Sequence, residues 1–129
     1  MLAVDTNVVI RLVTRDHPEQ AARAAAVFRA NAVFVPKSVL LETEWVLRHV
    51  YKLGADAILR ALRGLLGLPN VLAEDPAAVI TALNLLESGY EFADALHVAT
   101  SAGADRFVTF DARLIKRARK TSPVAVSLA

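Results

Sequence analysis

Four carboxylates occupy positions where a chain could use them for chemistry. Asp5 interrupts the apolar run LAVDTNVVI, Asp111 ends RFVTFD, Asp94 opens FADALHVAT, and Glu42 lies within KSVLLETEWVLRH. Asp5 and Asp111 each stand between a strand-like run and a helical one, where an aspartate caps the helix well. Asp94 falls in a first helical turn, where a carboxylate suits the macrodipole. Caps do not have to be acids, however, and three carboxylates at strand-proximal helix starts concentrate negative charge that a cation would relieve. On the helix expected at 37–51, Val39, Leu40, Thr43, Val46, Leu47 and Val50 share an apolar arc. Glu44 is expected opposite that arc, in a surface Glu-to-Arg pair with Arg48. Glu42, at the arc's edge with Trp45 and His49 near it, is the better site candidate. Oxygen donors without any cysteine suit a hard cation, Mg²⁺ or Mn²⁺, which can activate water and offset charge on a phosphodiester.

A polyanion fits a second feature. RLIKRARK (113–120) carries five basic residues and no acid, although the net charge of the whole chain is only +2. On a helix Arg113, Lys116, Arg117 and Lys120 form one stripe, and Leu114, Ile115 and Ala118 another. A stripe of this kind is ordinarily a solvated face. Placed directly after Asp111, it becomes a candidate surface for a polyanion.

The elements that must position these residues alternate in type. Strands are expected at 2–4, 32–35, 70–73, 106–110 and 124–128. Helices are expected at 7–15, 18–30, 37–51, 55–66, 76–88, 92–102 and 112–120. Ile58, Leu59, Leu62, Leu65 and Leu66 give the fourth helix one apolar face, and Val79, Ile80, Leu83 and Leu86 are expected inward on the fifth. Strands separated by helices imply crossover connections: an α/β fold of three α/β/α layers around a central parallel sheet of four to five strands. Ligands then bind beyond the carboxyl ends of the strands. With 129 residues, 55% of them apolar, the chain is expected to form a single domain over 1–129. It contains no apolar run long enough to span a membrane and no signal-peptide layout at its start, so a cytoplasmic location is expected.

AVDTNVVIRL, SVLLETEWVLR and EFADALHVATSAGADRFVTFD, in that order, resemble the PIN-domain nucleases, particularly VapC-type toxins of prokaryotic toxin–antitoxin pairs. The resemblance implies a Mg²⁺- or Mn²⁺-dependent ribonuclease acting on RNA. Its acidic residues fall on Asp5, Glu42, Asp94 and Asp111. Thr6, Asn7 and Thr109 occupy polar positions that support the carboxylates, and Glu91 stands where relatives often have an aspartate. The resemblance also implies a cognate VapB-type antitoxin and a homodimer.

Other residues carry less. His97 is expected at an exposed rim, His17 in a turn, His49 near Glu42, and Trp45 and Phe92 in a core or interface. Two other functions compete. A noncatalytic RNA-binding or regulatory PIN module would keep the fold without turnover. A phosphoacceptor signalling domain would need an early acidic pair and a lysine ending the last strand, and PVAVSLA has none.

Overall fold

The computed structural model describes residues 1–129. Two compact units divide the chain, Met1–Pro76 and Ala77–Ala129.

In the first unit the order is β1 (Leu2–Ala3), α1 (Thr6–Thr14), α2 (Pro18–Ala30), β2 (Val33–Val35), α3 (Lys37–His49), α4 (Ala55–Leu66) and β3 (Val71–Ala73). The strands form a parallel sheet in the order β1-β2-β3. Leu2 is registered with Val33, and Val33 in turn with Val71. Pairs of helices make the crossovers that parallel strands require. Val9, Ile10, Phe28, Val33, Val35, Leu40, Leu47, Ile58 and Leu62 form its core, each large side chain contributing roughly 1.5–3 kcal/mol through burial.

Local chemistry sets the corners. The α1–α2 turn is fixed at Asp16, which accepts hydrogen bonds from the Tyr51 hydroxyl at 2.7 Å, the Thr14 hydroxyl at 2.8 Å and Arg11 Nη1 at 3.2 Å. The bond from Tyr51, then that from Thr14, holds the Asp16 carboxyl below its ordinary value. Because Tyr51 lies just past α3, this cluster ties the end of α1 to the end of α3. His17 is more than a turn residue: its Nδ1 accepts from the Gln20 amide at 3.2 Å and caps α2 ahead of Pro18.

The second unit holds α5 (Pro76–Glu87, starting at the boundary), α6 (Phe92–Thr100), β4 (Phe107–Thr109), α7 (Ala112–Ala118) and β5 (Val126–Leu128). β4 and β5 pair in parallel, with Val108 opposite Ser127. Val79, Leu83, Phe92, Ala95, Val98, Leu114 and Ala118 are buried. The chain is thus α/β, with helices alternating between parallel strands. Its five strands are hydrogen-bonded as a set of three and a set of two.

Several side chains depart from expectation. Glu44 is only 3% exposed. It lies four residues after Leu40 and three before Leu47, so it shares their inward face, and it is tolerated there because Arg48 grips it. Val50 is exposed, past the last turn of α3, and Ile80 is exposed because it shares the solvent face of Asn84 and Glu87. Leu2, Leu72 and Val108 on the strands are also open to solvent.

Candidate active site

In the first unit the site begins at the cap of α1. Asp5 has an extended backbone, and its Oδ1 accepts from the Thr6 amide at 2.8 Å. Its main-chain carbonyl takes the Val8 amide at 3.1 Å. The other carboxylate oxygen has no hydrogen-bond partner in the protein and remains available to a ligand. Thr6, itself buried, donates its hydroxyl to Glu42 Oε1. α3 therefore presents Glu42 directly beside the residue that follows Asp5.

Asn7, expected to help hold a carboxylate, is exposed and bonds to none. It lines a cleft of about 290 Å³ between α1 and α2 with Arg11, Gln20 and Arg23. His49 is not turned to Glu42 either; its ring packs on Trp45 at 4.6 Å and meets Arg48 Nη1 at 2.9 Å.

In the second unit Asp94 stands in the first turn of α6. Burial, then the negative charges of Glu91 and Asp111, push its carboxyl above the ordinary value, while His97 and Arg117 pull the other way. Glu91 and Asp111 are thus both within electrostatic reach of Asp94. Glu91 is exposed at the N-cap of α6, but its side chain makes no capping bond. Asp111 caps α7 through Oδ1, which accepts from the amides of Arg113 at 2.9 Å and Leu114 at 3.2 Å. Thr109 supports Asp111 through the main chain rather than the carboxylate, its Oγ1 accepting from the Asp111 amide at 3.0 Å. His97 is exposed, as expected, and stacks on Phe107 at 6.3 Å.

Arg113, Lys116, Arg117 and Lys120 all face solvent, while Leu114 and Ala118 anchor the opposite side of α7. Arg117 thus has a second role that its place in the sequence does not reveal, as a counter-charge to Asp94. The only sign of it is that it shares a segment with the acid at 111.

No three Asp, Glu, His or Cys side chains stand close enough to ligate one ion together. The donor chemistry still fits Mg²⁺ or Mn²⁺. Mg²⁺ is usually held by one or two carboxylates and keeps several waters. Asp5 offers a free oxygen, and Asp94 lies in a field that a cation would offset.

No helix is long and apolar enough to cross a membrane. The family model for the PIN domain matches residues 2–120. No curated protein is significantly similar to the chain in sequence.

Proposed function

The chain belongs to the PIN-domain family, and on that premise we propose that it is a Mg²⁺- or Mn²⁺-dependent endoribonuclease, the toxin of a VapC-type toxin–antitoxin pair. The observation that carries this reading is the hydrogen bond from Thr6 to Glu42. It joins the acid-bearing start of α1 to the one exposed glutamate of α3, and a purely structural cap at Asp5 does not require it.

Asp5 and Glu42 in the first unit, and Asp94 and Asp111 in the second, are the candidate ligands that the family resemblance implies. One or two carboxylates with water would suffice to hold the cation, and Glu91 adds charge near Asp94. When bound, the cation supplies an activated water and positive charge against the phosphodiester. The chain's own residues prepare for this. Asp5 uses one oxygen on the helix and keeps the other free. Thr6 orients Glu42, and the Asp111 cap fixes the start of the basic helix. Arg113, Lys116, Arg117 and Lys120 take the RNA backbone by neutralising phosphates.

The proposed antitoxin is a small protein encoded next to this one. An arginine or lysine from it would pair with the acids in place of the cation. Trp45 and Val50, 52% and 62% exposed, offer apolar surface on and just past α3 for an inhibitor helix or a second copy of the chain. The lack of a three-carboxylate cluster favours a second reading, a noncatalytic RNA-binding PIN module.

Sequencing RNA 5′ ends after brief induction separates the two. New ends with wild type and none with Asp5→Asn support the nuclease. Growth arrest by wild type alone, relieved by the neighbouring protein, supports the toxin role. Identical end profiles with wild type and variant would overturn the nuclease and toxin readings and leave the noncatalytic module.

A further inference from the structure

Phe110 is 85% exposed, more than any other large apolar side chain of the protein. It directly precedes Asp111, and its surroundings are ordered. The Asp111 amide is held by Thr109 at 3.0 Å, and the Asp111 carboxylate is held by two amides of α7. The ring is therefore carried on a pinned main chain.

The strand leading to it presents a matching surface. Val108, 58% exposed, is registered with Ser127 of β5. Arg106 Nη1 reaches Ser127 Oγ at 3.5 Å, which puts Arg106 on the same side of the sheet. Side chains alternate along a strand, so Arg106 and Val108 share one face, and Phe110 follows in the bend between β4 and Asp111. A guanidinium, an aliphatic side chain and an open aromatic ring thus run toward the acid. Arg113 stands exposed three residues beyond the ring.

Resting on the nuclease reading, we propose that Phe110 is a base-stacking platform for single-stranded RNA. An unpaired nucleobase beside the phosphate handled at Asp111 lies on its ring, and Arg106 and Arg113 meet the flanking phosphates. Aromatic rings take any base by its π-face, and cationic groups alongside track the backbone. The same mixture of charges and a single ring suits a nucleotide strand better than a dry protein interface, whose centre is depleted of charge.

The test uses the full chain and a short mixed-sequence RNA oligonucleotide carrying a fluorescent base analogue. Binding is measured in the Asp5→Asn background, so that it needs no turnover, for Phe110, Phe110→Ala and Phe110→Trp. The expected result is quenching of the analogue with Phe110 and Phe110→Trp, and its loss with Phe110→Ala. Affinity should fall roughly ten- to hundredfold in the alanine variant. Replacing the analogue with an abasic site should remove most of that difference. Equal affinity and quenching for Phe110 and Phe110→Ala, or no RNA binding at all, would overturn the proposal. So would a Phe110-dependent dimer in sedimentation, which would assign the ring to a second copy. A parallel cleavage assay with Asp5 restored keeps the two readings apart. Cleavage with KM indifferent to Phe110 refutes the platform alone, whereas stacking without cleavage refutes the nuclease alone.

Discussion

Replacing Arg48 with methionine should unfold the protein far more readily than replacing the acid that Arg48 holds. Glu44 is 3% exposed and is gripped through Arg48 Nε at 2.8 Å and Nη2 at 3.2 Å. Removing the guanidinium strands a carboxylate inside α3's packed face. Breaking a buried pair from one side costs about 3–5 kcal/mol. The side chain of Arg48 is 46% exposed, so water can partly replace it, and about 2–3 kcal/mol is expected. Glu44→Gln keeps the shape and an acceptor and should cost only about 1 kcal/mol. The double variant Glu44→Leu with Arg48→Met should recover most of the loss, because removing both partners together is nearly neutral. Urea unfolding reads this directly. At a slope of about 1–3 kcal/mol/M the Arg48→Met midpoint should drop by roughly 1–2 M, with the slope unchanged. A drop worth less than ~0.5 kcal/mol, the value of an ordinary exposed i,i+4 pair, would refute the burial argument. A double variant no better than the single would refute it as well.

Asp94→Asn should stabilise the metal-free protein at neutral pH, by about a degree or two in Tm, since solvent screens much of the repulsion. The folded state raises the Asp94 carboxyl above its ordinary 3.8. Its destabilising contribution is therefore absent below 3.8 and grows as pH rises from there through the folded value, so the melting curves of variant and wild type should converge in acid. Thr6→Val removes the bond to Glu42 while keeping the shape of a buried side chain. It should lower cleavage about ten- to hundredfold, with Thr6→Ser retaining most activity and both folding cooperatively; full activity in the valine variant would show that Glu42 needs no orienting. Changing Lys116, Arg117 and Lys120 together to Gln should reduce the log–log salt dependence of RNA binding by about 2, and an unaltered slope would leave α7 a solvated face.

The caps at Asp5 and Asp111 could be read from the sequence because each depends on a junction between two local patterns. The apolar face of α4 could be read because five residues repeat at one helical spacing. The Glu44–Arg48 pair could be read from its i,i+4 spacing, but the burial of Glu44 could not, since pattern reading sends charges outward. Ile80 was misplaced for a related reason: it adjoins Val79 in sequence but shares its helix face with Asn84 and Glu87. Strand pairing is a tertiary property, so the alternation at 106–110 gave β4 but not its pairing with β5 alone. At the site, residue type located the acids. Which of them share a field, and that Thr6 rather than Asn7 reaches Glu42, depended on how the helices pack. Phe110 lay inside an expected strand, where nothing in the sequence marks an aromatic ring as open to solvent.

The central claim is that the acids serve a metal-dependent cleavage of RNA. Its most direct measurement is hydrolysis of RNA by purified wild type and Asp5→Asn, each with Mg²⁺ or Mn²⁺ and with a chelator. Asparagine also caps helices, so the variant should melt cooperatively like wild type. Wild type should cleave only with the cation, and the variant should not cleave under any condition. Cation-independent cleavage, or equal turnover by a folded Asp5→Asn protein, would contradict the account.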